Sequence, residues 1–195
     1  MKKLSIIILF LTINLFFSQN IKIKEAEFAG TIVFAKTPTE PLELENIRSA
    51  FKAKKNALAF VTGNLAGRSG TKLLVNGKNS TVRIETRSEM YFIYTAEDNF
   101  SNPKDVILLF KFDNTLDDNR VTTLVDTVGV LAGDQKSYDN FIQFEAKKYG
   151  RTSYLIKVNS LPPGEYGFTL GKLSSVDKNG TAPILHMFTV VAKAN

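Results

Sequence analysis

The sequence contains no cysteine, no tryptophan and a single histidine, His186. Each absence removes a class of chemistry. Without cysteine there is no disulfide, no lipid anchor on a cysteine, no thiol nucleophile and no thiolate metal site. With one histidine besides, the clustered nitrogen and sulfur ligands of a zinc centre are missing. His186 shares strand parity with Ile184, Phe188 and Val190, and a lone histidine on an apolar face reads as a packed residue. Without tryptophan, a glycan-stacking platform would rest on the six tyrosines. The 25 lysines and arginines are mixed with 19 acids along the chain. They form no basic stripe, so nucleic acid is not an expected partner.

One hydrophobic run does stand out. Met1-Lys2-Lys3 is followed by an apolar stretch from Leu4 to Phe17, and Ser18-Gln19-Asn20 then turns polar. A cationic start, an apolar stretch of about 14 residues and a small residue at its end form a secretory signal peptide. A membrane-spanning helix needs about 20 apolar residues, so the run is short for that role. Residues 1–18 are therefore expected to be removed on export, with Phe16 where a small residue is usual. Their loss takes away two lysines and lowers the net charge from +6 to +4. No later run is long enough to span a bilayer, so the expected compartment is periplasmic or extracellular. A secreted chain without disulfides must be held by its core. At this length roughly 70% of the unfolded surface can be buried, so no staple is needed.

Period-two patterns dominate the remainder. Val106, Leu108, Phe110 and Phe112 share one strand face, and Ile107, Leu109 and Lys111 the other. Similar alternation surrounds Ile142–Ala146, Tyr154–Val158 and Tyr166–Leu170. Asn76-Gly77, between Lys72–Val75 and Ser80–Glu85, is a type I′ hairpin signal. Tyr149-Gly150 marks another turn, and Asn179-Gly180 lies in a longer loop, Ser174–Ala182. From Pro41 to Asn56 two readings compete. Leu44, Ile47 and Phe51 recur at helical spacing, but short isolated helices are marginal. The surroundings are β, which favours an extended segment with a strand near Ala50–Lys54.

Seven strand candidates follow Met90, centred on Phe92, Leu108, Thr123, Phe144, Ile156, Phe168 and Phe188. That number and spacing predict an Ig-like β-sandwich over residues 88–195. The shorter strands before it predict a small N-terminal β lobe over residues 21–86, with a boundary near Arg87-Ser88-Glu89. The fold class is all-β.

Leu161-Pro162-Pro163-Gly164-Glu165-Tyr166 leads into the penultimate strand. There a tyrosine can hydrogen-bond back across the turn as a tyrosine corner. Pro163 and Gly164 shape the turn, and Leu161 plugs the end of the core. The order Asn76-Gly77-Lys78-Asn79-Ser80-Thr81-Val82-Arg83, Ser101-Asn102-Pro103, Arg120 and Leu161–Tyr166 resembles a group of uncharacterised secreted β-sandwich proteins of the Bacteroidota, with the pattern G-x-x-S-x-V-R … P … R … L-x-P-G-E-Y. The resemblance implies a strand at Ala50–Lys54 and carries over no activity. Asp126-Thr127-Val128 resembles the acceptor motif for O-glycans on exported proteins of the same phylum, which makes Thr127 a candidate glycosylation site.

Catalytic motifs are wanting. Gly63–Gly70 superficially suggests a phosphate loop, but it lacks the required spacing and leads into a strand. Asp113, Asn114, Asp117, Asp118 and Asn119 lack the central glycine and distal glutamate of a calcium loop. Ser69 departs from the nucleophile-elbow pattern. Glu97-Asp98-Asn99 reads as a solvated turn. The expectation is a cofactor-free, non-enzymatic protein that binds a protein, envelope or glycan component. Candidate binding loops are Gly63–Gly70, Asp113–Arg120 and Gly133–Asn140, with Arg68, Lys72, Arg120, Lys136 and Tyr138 as contact residues. Two alternatives stay open. One is a hydrolase with a carboxylate site between the lobes, and the other is an accessory subunit of a surface complex.

Overall fold

The computed structural model describes residues 22–53, 69–116, 119–127, 141–170 and 183–193. They are almost entirely β. The strands are β1 (Thr31–Ala35), β2 (Pro41–Glu43), β3 (Glu45–Arg48), β4 (Ala50–Ala53), β5 (Ser69–Asn76), β6 (Arg83–Glu85) and β7 (Glu89–Thr95). Then come β8 (Ile107–Leu116), β9 (Asn119–Thr127), β10 (Glu145–Tyr149), β11 (Ser153–Asn159), β12 (Gly164–Leu170) and β13 (Ile184–Val191). A one-turn helix, α1 (Pro103–Val106), precedes β8. Asn102 caps it by accepting the Lys104 N–H at 3.1 Å, and Pro103 sits in its first turn. No helix among the described residues is long and apolar enough to cross a membrane.

The strands form two sheets. The first has five strands in the order β10-β11-β7-β1-β2, all antiparallel. The second runs β3-β13-β12-β8-β9-β5-β4, with β6 pairing β13 in parallel. Its two terminal strands, β3 and β4, are consecutive in the chain and separated only by Ser49. The path thus begins and ends on one stretch of chain, and the sheet curls toward a barrel. Ser49 is buried at this corner, and its N–H and hydroxyl both donate to the Pro183 carbonyl, at 3.2 and 2.8 Å.

Two cores result. Between the sheets, Phe92 on β7 lies within 5.1–5.4 Å of the Phe34, Phe168 and Phe188 rings, centroid to centroid. Burying each such ring is worth roughly 1.5–3 kcal/mol. Inside the barrel, Leu73, Val75, Phe110, Phe112, Leu185 and Met187 pack together. The barrel is narrow there. A Cβ on Gly167 would overlap Met187 Sδ and stand 3.1 Å from Phe112.

The segment with two readings is extended, as β2, β3 and β4. Its helical-looking spacing has a tertiary cause: Leu44 enters the core between the sheets, while Ile47 packs on the barrel core. The seven strands expected after Met90 all form, although the fourth starts at Glu145, one residue beyond Phe144. Two expectations need correction. Gly77 has the positive φ of 86° expected of Asn76-Gly77, but no hairpin follows. β5 pairs with β4 and β9, whereas β6 crosses over to β13. The boundary near Arg87–Glu89 is also absent from the pairing. β1 pairs with β7, β3 with β13 and β5 with β9, so residues 21–86 and 88–195 contribute strands to both sheets. Within residues 21–86 β1 pairs with β2 and β4 with β5, but each of these ladders is continued by a strand from the other half, β7 beside β1 and β9 beside β5.

Candidate functional site

Antiparallel partners directly opposite one another share a face of the sheet. On β9, Arg120 stands opposite Val75 and Thr122 opposite Leu73. Both partners belong to the barrel core, so Arg120 projects inward. On β12, Glu165 stands opposite Phe112 on one side and Thr189 on the other. On β3, Glu45 stands opposite Met187. Three charged positions from three strands therefore meet at one end of the barrel.

Arg120 and Glu165 are each 1% exposed. Arg120 Nη1 lies 3.5 Å from Glu165 Oε2 and 3.4 Å from Glu45 Oε2, and Nη2 donates to the Asn76 carbonyl at 3.0 Å. The Glu165 carboxylate also accepts the Ser80 N–H at 2.9 Å and the Thr189 hydroxyl at 2.6 Å. Ser80 is buried. Its hydroxyl donates to the Met187 carbonyl at 3.2 Å, and the Thr189 N–H donates to the Val82 carbonyl at 2.8 Å. The chain after Gly77 thus lies over this end of the barrel and is sewn to β12 and β13. A Cβ on Gly77 would stand an ordinary 4.0 Å from Arg120 Nη2, so it is the positive φ that favours glycine there.

A buried carboxylate suits general acid–base chemistry only if a reacting group can reach it. Glu165 is covered by Ser80 and Thr189, and its charge is matched by Arg120. The cluster closes the barrel and holds β3, β9 and β12 in register, because breaking one buried pair strands the other charge. His186 also serves packing. It is 3% exposed, stands opposite Phe168 and Asn46, and burial lowers its pKa from 6.5 to about 4. It is neutral at physiological pH.

Arg120 is accordingly a correction. The sequence places it on a binding loop, but it lies within β9, facing inward, because β9 begins at Asn119. Lys72 belongs to β5 rather than to a loop. Arg68, Lys136 and Tyr138 lie outside the described residues. Thr127 is the last residue of β9 and pairs with Ser69. Of the structural residues, Tyr166 Oη donates to the Pro162 carbonyl at 2.8 Å, Leu161 joins the core, and Pro163 and Gly164 carry the chain into β12.

Glu45 and Glu165 escaped the sequence reading. Glu165, Gly167 and Thr169 alternate with Tyr166 and Phe168, which in a one-sided sheet means a solvent face. Both faces of β12 are covered here. The usable signal was the small Gly167 between two polar neighbours, which fits a close inner approach.

No protein family, curated protein or solved structure matches the chain.

Proposed function

We propose that the protein is exported and works by binding a protein or envelope component, without a cofactor and without turnover. The observation that carries this reading is the asymmetry of the barrel. One end is sealed by the Arg120–Glu165–Glu45 cluster and the chain after Gly77. At the other end lie Ala53, Ser69, Thr127, Leu170 and Ile184, as the pairs Ala53–Thr71, Ser69–Thr127, Leu170–Ile107 and Thr169–Leu185 require. A rigid sheet scaffold that presents its connections at one end is a common recognition platform. From the Ig-like expectation the proposal retains the two-layer scaffold and the tyrosine corner at Tyr166.

The test uses the exported protein. Mass spectrometry should place its N-terminus near Gln19. The tagged protein should bind envelope fractions saturably and leave ester, glycan and peptide substrates intact. Turnover that disappears when one Asp or Glu becomes its amide overturns the reading in favour of a hydrolase.

A further inference from the structure

A cavity of about 330 Å³ opens where β1, β7, β11 and α1 begin or end. It sits at the same end as the start of β8, since Val106 lines it and Ile107 follows. Its walls include Tyr94, Tyr154, Glu97, Asp98, Ser101 and Gly30. The size is at the lower limit of small-ligand pockets, about 300–1,000 Å³, which suits one side chain better than a large ligand.

The lining has a definite chemistry. The Tyr94 and Tyr154 rings stack at 6.1 Å, 14° from parallel. Tyr154 is fixed by donating its hydroxyl to the Ser101 carbonyl at 2.8 Å. The loop with the two acids is also pinned. Asn99 is buried and donates to the Ser153 carbonyl at 3.2 Å, and Asp98 accepts the Phe100 N–H at 3.0 Å. Among the described residues no lysine or arginine forms an ion pair with Glu97 or Asp98. They make an acidic spot on a chain of net charge +6. Burial raises the Tyr94 pKa, and the nearby Tyr154, Glu97 and Asp98 raise it further.

A second observation lies on the rim. Phe100 is 84% exposed and Phe28 is 70% exposed. Phe100 belongs to the loop between Asp98 and Ser101, which both line the cavity, whereas Phe28 lines a different depression with Glu25, Pro41 and Glu43. Lys148 sits over the Phe100 ring at 5.3 Å, so that ring already presents its face to one cation. An exposed phenylalanine on the loop that lines an acidic, tyrosine-walled cavity forms an anchor site with an apolar flank.

We propose that this cavity receives a lysine or arginine side chain of a partner protein, with Glu97 and Asp98 taking the charge and Phe100 flanking the partner's backbone. The choice of a cation over a neutral sugar follows from Glu97 and Asp98, two exposed carboxylates in the lining with no ion-pair partner among the described residues, which attract positive charge. The inference rests on the binding role proposed above and assigns that role a partner chemistry.

The experiment is a two-dimensional NMR titration of the full chain with the blocked tripeptides Gly-Arg-Gly, Gly-Lys-Gly and Gly-Gln-Gly, and with a neutral disaccharide. The basic peptides should shift Tyr94, Glu97 and Phe100 saturably. The Glu97→Gln, Asp98→Asn double variant should bind them about tenfold more weakly, as charge-assisted contacts become neutral. The Asp98→Asn change keeps a side-chain oxygen to accept the Phe100 N–H, and an unchanged urea midpoint verifies the fold. Equal binding of the glutamine peptide, binding of the sugar alone, or no saturable shift with either basic peptide overturns the proposal. Envelope binding separates the two levels. If the double variant retains it, the cavity assignment fails and the binding role stands; if the unaltered protein binds no envelope component, the role itself fails.

Discussion

Acidification should weaken this protein through one residue. His186 is the sole histidine, is 3% exposed, and has its pKa lowered by burial from 6.5 to about 4. Its only resolved perturbation is desolvation, so no ion pair complicates the sign. In the unfolded chain the imidazole takes up a proton as pH falls below about 6.5. In the folded protein it stays neutral until about pH 4. Between those values the unfolded state binds more protons, so stability falls with falling pH. A depression of this size corresponds to about 3 kcal/mol lost across the window, at about 1.4 kcal/mol per pKa unit. That is a sizeable share of the roughly 5–15 kcal/mol typical of a domain. Urea midpoints at about pH 7.5, 6 and 4.5 would follow the loss in the unaltered protein and in His186→Leu. The variant should lack this component, since leucine fills apolar space without titrating. The same pH slope in both proteins, or an imidazole that titrates by NMR near its ordinary value, refutes the argument.

Other outcomes can be stated with it. Tyr166→Phe should cost about 1–2 kcal/mol by denaturation, because it leaves the Pro162 carbonyl without its donor. Glu165→Leu should cost about 3–5 kcal/mol by stranding Arg120, whereas Arg120→Met with Glu165→Leu should cost clearly less than the two singles combined; strict additivity would show that the pair is uncoupled. Gly167→Ala should cost about 1–3 kcal/mol, as the methyl collides with Met187 and crowds Phe112. The mass of the exported native protein should exceed the chain mass by a glycan, and Thr127→Ala should abolish the excess.

Much of the local structure was legible in the residues. Alternation located the strands around Phe92, Leu108, Ile156, Phe168 and Phe188, because a pleated backbone sends successive side chains to opposite faces. Tyr149-Gly150 marked a real turn, with φ of 56° at Gly150 between β10 and β11, whereas Gly77 takes its positive φ of 86° without the hairpin that Asn76-Gly77 predicts. The Leu161–Tyr166 turn was readable for the same reason: its hydrogen bond joins residues four apart, and short-range geometry is encoded in short-range sequence.

Strand partnership was not legible. Period two tells which side chains share a face, but not what covers it. Only the joining of β3 and β4 at Ser49 curls the second sheet, and only that curl makes an interior of the face carrying Glu45, Arg120, Glu165 and Gly167. Arg120 therefore reads as a surface cation along the chain and proves to be buried, its partners lying 45 and 75 residues away. The cavity between Tyr94 and Tyr154 has the same origin, as two ordinary strand tyrosines stack only where β7 pairs with β11. Side-chain periodicity follows from the local backbone, whereas enclosure depends on contacts between strands far apart in sequence, and it is enclosure that turned Arg120 and Glu165 into a buried pair at one end of the barrel.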